Sequence, residues 1–147
     1  MQQFQGIKSG IATFAAAVTN GSTTTSLGID TKGYATLQVC VSATTSNALT
    51  NNFSTLKLQQ SDDDSTYADL SGAVGDTDFT IASAYTSTAT PQNSVFNVSM
   101  LGKKRYIRCL FTPLTTQSVA VTYSLGRPAT APVTASQSGV ENLVNIV

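Results

Sequence analysis

A chain of 147 residues is long enough for one domain with its own hydrophobic core. Its eight basic and eight acidic residues cancel, and no window interleaves cations with aromatics, which argues against a nucleic-acid surface. Histidine and tryptophan are both missing, so the commonest general base, the commonest transition-metal ligand and the usual sugar-stacking indole are excluded.

In chain order, Met1 to Gly10 is polar and without period and reads as an N-terminal arm. Ile11 to Val18, with Phe14 among alanines, reads as a strand, and Asn20-Gly21 after it as a hairpin turn. Turn residues Asp30, Thr31, Lys32 and Gly33 lead into a stretch where Ala35, Leu37, Val39 and Val41 alternate with Thr36, Gln38 and Cys40, the period of a half-buried strand. Ser42 to Asn52 is a polar loop. From Thr55 to Leu70 the pattern is a hairpin: Leu56 and Leu58 alternate with Lys57 and Gln59, Ser61-Asp62-Asp63-Asp64-Ser65 interrupts, and Thr66 to Leu70 resumes. Short Asp and Ser side chains suit that interruption because they bond nearby backbone amides, and Asp tolerates left-handed dihedrals. A lone hairpin is marginal in water, and Gly102 to Phe111 is the best candidate for its third strand. Gly72 to Asp78 reads as a turn, Phe79 with Ile81 as a short strand, and Ala82 to Asn93, holding Pro91, as a long loop. Val95 to Met100 places Phe96, Val98 and Met100 on one face, and its nearness to Gly102–Thr112 predicts that the two pair as neighbours. Gln117 to Leu125 alternates Val119, Val121, Tyr123 and Leu125.

Seven to nine short strands between Gly, Ser, Asn and Pro turns predict an all-β, single-domain, jelly-roll-like β-sandwich over residues 11–127, with extended arms over 1–10 and 128–147. Ser and Thr, roughly a quarter of the chain, fit strands, turns and a surface solvated by hydroxyls. Arg127 to Ser138, with Pro128 and Pro132, reads as an extended linker. Beyond it Val140, Leu143, Val144 and Val147 have the spacing of a helix face, while Val144 and Ile146 equally suit an added strand. Such an apolar end gains burial either on its own body or on another subunit, which makes Leu143, Val144, Ile146 and Val147 candidate partner contacts. Cys40 and Cys109 fall out of phase with each other on their strands and are expected as free thiols. No secretory signal and no membrane-spanning apolar run is visible, so cytosolic synthesis without membrane attachment is expected.

Chemistry is sparse. Two distant cysteines without histidine do not make a zinc site, and no phosphate-binding glycine loop or Gly-x-Ser-x-Gly elbow occurs, so no enzyme activity, catalytic residue or cofactor is expected. Asp62, Asp63 and Asp64 bring hard oxygen ligands to one turn, but the glycine and distal glutamate of a helix-loop-helix calcium loop are absent, and turn formation is the preferred reading. Lys103, Lys104 and Arg105 form the basic cluster, read either as charges that keep a strand edge soluble or as a contact for an acidic partner surface.

Taken together, Ile29-Asp30-Thr31-Lys32-Gly33-Tyr34, then Leu58 to Leu70 with its Ser-Asp-Asp-Asp-Ser-Thr-Tyr turn, then Gly102-Lys103-Lys104-Arg105-Tyr106-Ile107-Arg108, then Leu125-Gly126-Arg127-Pro128 resemble the head decoration, or cement, proteins of tailed bacteriophages. Asp64 stands where that pattern usually has glycine, and Tyr67 where tryptophan is frequent. The resemblance implies a structural virion protein on the capsid exterior, a homotrimer that binds the major capsid protein and bridges shell subunits. The two central motifs also resemble discoidin-type carbohydrate- or receptor-binding sandwiches, the alternative reading.

Overall fold

A computed structural model describes residues 7–44, 53–81, 92–126 and 142–146. They hold ten strands: β1 (Lys8–Val18), β2 (Thr24–Thr25), β3 (Ile29–Asp30), β4 (Thr36–Thr44), β5 (Phe53–Ser61), β6 (Ala68–Val74), β7 (Gln92–Ser99), β8 (Tyr106–Pro113), β9 (Gln117–Gly126) and β10 (Asn142–Ile146). One sheet runs β1-β9-β4-β7-β10; the other runs β2-β8-β5-β6, with β3 also on β8. Every pairing between strands is antiparallel except β10 with β7. The result is a β-sandwich; these strand orders do not establish jelly-roll wiring.

Period-two alternation builds the core. Leu37, Val39, Val41 and Ala43 of β4, Phe96 and Val98 of β7, and Val119, Val121 and Leu125 of β9 are buried from one sheet. Leu56, Leu58, Leu70, Ala73, Ile107, Cys109 and Phe111 meet them from the other. Each large apolar side chain taken fully out of water contributes about 1.5–3 kcal/mol. Phe53 sits edge-on to Phe111, with ring centroids 5.9 Å apart. The expected third strand for the central hairpin is present, since β8 pairs with β5 from Phe53↔Pro113 to Ser61↔Tyr106. Both cysteines are free: Cys109 is in the core and Cys40 half-buried on the opposite face of its sheet.

Two expected hairpins are instead crossings between sheets, for one shared reason. β7 belongs to the first sheet and β8 to the second, so they do not pair; β1 and β2 are likewise separated. The turns at Asn20-Gly21 and Leu101-Gly102 do form, closed by Ser22 N–H donating to Thr19 O at 3.0 Å and Lys103 N–H to Met100 O at 3.2 Å. In each only the glycine has positive φ, 73° at Gly21 and 71° at Gly102, the sign pattern of a type II turn. Hairpins favour the primed turns, whose twist matches paired strands, whereas a type II turn splays them.

Phe79 and Ile81 do not form the expected short strand. Phe79 makes a single bridge to Gly75 and packs edge-on against Phe96 at 5.6 Å, while Ile81 is buried, so their apolarity serves to plug the core. Gly72 to Val74 still belong to β6, and the turn follows at 76–78. Lys8, Ser9 and Gly10, within the stretch read as an arm, already pair with Leu125, Ser124 and Tyr123. Residues 1–6, the loop positions 45–52 and 82–91, and the linker positions 127–141 lie outside the described residues. The end of the chain adopts the strand alternative, with β10 parallel to β7 from Asn142↔Ser94 to Ile146↔Val98.

Phe96→Ala should cost about 3–5 kcal/mol of unfolding free energy in a urea melt, because it opens a cavity under β7 and strands the Phe79 ring. Leu101→Ser, at a side chain 89% exposed, should stay within about 0.5 kcal/mol of the parent.

Candidate functional site

The motif-bearing stretches meet at one corner of the second sheet. Asp63 organises the β5–β6 turn: its Oδ1 accepts the N–H of Ser65 at 3.0 Å, the N–H of Thr66 at 2.9 Å and the hydroxyl of Ser61 at 2.8 Å. Asp64 follows with φ of 59°, the left-handed conformation that Asp tolerates through local bonding. This geometry returns the chain so that Tyr67 lies across the outer face of the sheet. The Arg108 guanidinium carbon is 3.9 Å from the Tyr67 ring centroid, and the Tyr67 hydroxyl donates to Asp64 Oδ1.

The network continues across the strands. Arg108 Nε donates to Gln59 Oε1 at 2.9 Å, Gln59 Nε2 donates to Asp69 Oδ1 at 2.8 Å, and Lys57 Nζ pairs with Asp69 Oδ2 at 2.9 Å. Gly28 is closed over by the far end of this turn: a Cβ there would lie 1.9 Å from Asp64 Oδ1 and 2.4 Å from the Tyr67 hydroxyl, so glycine is what lets the turn approach.

The basic cluster is used in the same way. Arg105 grips Asp30 through two bonds, Nε to Oδ1 at 2.8 Å and a terminal nitrogen to Oδ2 at 2.6 Å, while Asp30 Oδ1 also accepts the Lys32 N–H. Thr31 donates both its hydroxyl, at 2.6 Å, and its amide, at 3.0 Å, to Arg105 O. Lys104 Nζ pairs with Asp62 at 2.8 Å, and the half-buried Lys103 closes the preceding turn through its amide. Exposed pairs of this kind are worth about 0–1 kcal/mol each, so their role is to fix the corner's geometry.

Electrostatics follow the bonds. The Thr66 amide, with Ser61 and Ser65, holds the Asp63 carboxyl well below its ordinary 3.8, and Arg105 does the same for Asp30; Lys57, followed by Gln59, lowers Asp69. Burial, then the bond to Asp64, pushes the Tyr67 hydroxyl above its ordinary 10.0, and burial alone pushes the Cys109 thiol above 9.0. Asp62, Asp63 and Asp64 point to Lys104, backbone amides and Tyr67 respectively, and no group of three or more His, Cys, Asp or Glu side chains gathers to hold a metal among the described residues.

The candidate contacts at the end of the chain are placed differently. Val144 and Ile146 are buried against the body of their own chain; the Leu143 side chain and Val147 lie outside the described residues. Sequence reasoning missed an apolar edge on the other side of the same sheet. Ile7, Ile11, Phe14 and Leu27 are each more than half exposed, and Leu27 N–H donates to Ala12 O at 3.0 Å, which sets Leu27 beside β1. From Ser9 to Val18 this outermost strand carries no charged residue. Period-two parity sets only Ile11 apart from Ala12 and Val18; Phe14 shares their parity and turns outward where the register of β1 shifts between Thr13 and Ala16, which no local sequence signal marks. An open groove of about 480 Å³ on the first sheet's outer face is lined by Ser9, Gln38, Cys40, Thr122, Tyr123 and Ser124, among others. Compared with known protein families and with curated proteins, the chain matches none.

The shifted groups set a pH profile. Carboxyls with depressed folded values contribute stability that is present above about pH 4 and lost as pH falls through them; Tyr67 and Cys109, with raised values, contribute stability that is lost once pH rises above about 9. With no histidine, melting temperature should be flat between about pH 5 and pH 8 and fall on both sides. A midpoint near pH 6 in a thermal-melt series would contradict these assignments.

Proposed function

We propose that the protein is a structural virion component, a decoration protein that binds the outside of a tailed-phage head and reinforces it by bridging major capsid subunits. The observation that carries this reading is the apolar outer edge formed by β1 with Leu27, uncharged from Ser9 to Val18. Of the devices that usually blunt an exposed edge strand, β1 has register irregularities but, beyond Lys8, neither charge nor proline. Here irregular register within β1 leaves Ile11 and Phe14 facing solvent, in the manner of a surface that a protein partner covers. Zero net charge and a hydroxyl-rich surface fit a chain that functions as one of many copies against a shell.

The four stretches that resemble cement proteins support the same reading through the fold. Three of them assemble the braced corner, and in the fourth Leu125 enters the core and Gly126 O accepts the Thr36 hydroxyl. On this reading the mechanism is adhesion. Copies arranged as trimers at local three-fold positions add contacts that must be broken before the shell opens, and many weak identical contacts multiply.

A second reading, a carbohydrate- or receptor-binding sandwich, is favoured by the groove on the first sheet, whose hydroxyls and Gln38 amide are neutral hydrogen-bonding groups suited to a sugar. Gradient sedimentation separates the two. Heads assembled from a tailed-phage major capsid protein should carry the protein with them, and Phe14→Asp should weaken retention about tenfold or more, the loss of one buried large apolar side chain. Protein that stays at the top of the gradient yet binds a glycan array, with binding lost in Gln38→Ala, would favour the second reading.

A further inference from the structure

We infer that β10 is an exchangeable strand: the slot beside β7 that it fills in its own chain is also a docking site for the β10 of a second copy. The inference rests on how β10 is attached and does not depend on the capsid reading. β10 is the outermost strand of its sheet and pairs with β7 alone, in parallel, so no hairpin ties it to its neighbour. Its anchors are side chains. Val144 and Ile146 enter the core, and Ile146 Cγ2 lies 3.5 Å from the point where a side chain on Gly72 would begin, so β10 closes the side of the sandwich between β7 and β6.

Those contacts are indifferent to which chain supplies the strand. Gly126 is level with Thr36 and therefore with Ser99, whereas Asn142 is level with Ser94 three strand spacings away. Closure within one chain must thus cover about 22 Å, from strand spacings of about 4.8 Å and a rise of about 3.3 Å per residue. Residues 127–141 fully extended span on the order of 50 Å, far more than closure needs and enough to reach an adjacent copy. A tether of that contour length sets an effective concentration on the order of millimolar. Dilute chains therefore close on themselves, and copies held side by side at comparable local concentration exchange strands at no loss of contacts.

Shortening the tether removes the choice. With residues 128–138 deleted, the remaining connection reaches only about 17 Å, too short for closure in one chain. Light scattering should then give a dimer or larger closed oligomer, and adding Val144→Asp should return it to monomer. A folded monomer with the deletion alone would overturn the inference. Should that variant fail to fold, the full-length chain gives a second reading in a Cys40→Ser background. Asn97 and Asn145 are register partners, so chains carrying Asn97→Cys mixed with chains carrying Asn145→Cys and refolded together at about 1 mM should form an interchain disulfide. Absence of that species after oxidation would also overturn it.

Discussion

The backbone of β8 is the constraint on which the second sheet and its corner depend. On one side it is bonded along the length of β5, and on the other to the short strands β2 and β3. Between those two strands Ser26 replaces a ladder step: its amide donates to Cys109 O at 2.8 Å and its hydroxyl accepts the Cys109 N–H at 2.9 Å. Ile107, Cys109 and Phe111 fill the core from one face of β8, while Arg108 projects from the other under the Tyr67 ring. Its entry is fixed by Thr31 and Asp30, which hold the carbonyl and the side chain of Arg105. A strand paired on both sides leaves little freedom at its ends, and the acidic turn and the basic cluster help to hold it.

That outcome explains what was legible in the sequence and what was not. Strands with one buried face announce themselves by alternation, as in β4 and β9, and the pairing of β5 with β8 followed from the need of a hairpin for a third strand. Pairing between chain neighbours was misread at Asn20-Gly21 and Leu101-Gly102, because the residues that make a turn do not reveal whether its twist suits a hairpin or an arch between sheets. Phe79 and Ile81 were misread because apolarity without periodicity signals burial and says nothing about backbone pairing. For the corner, the residues were all visible, but their roles depended on which strands lay side by side. Lys104 and Asp62 are far apart in the chain, as are Arg105 and Asp30, and only the sheet order brings each pair together.

The two outer strands of the first sheet differ in kind. β1 presents exposed apolar side chains on an uncharged edge; β10 buries its apolar side chains but is held by a tether longer than it needs. The two strands lie at opposite ends of a single five-stranded sheet.

The most direct test of the braced corner is a double-mutant cycle on Tyr67 and Arg108, which belong to the two motifs and touch each other at 3.9 Å. Urea unfolding of Tyr67→Ala, Arg108→Ala and the double variant isolates their mutual term from the bonds each makes elsewhere. A cation–π contact at a partly exposed site predicts a coupling energy of about 0.5–1 kcal/mol, with the double variant less destabilised than the sum of the singles. Additive losses, with coupling within about 0.3 kcal/mol of zero, would mean that the motifs merely lie side by side, and the claim that they hold one another would be wrong.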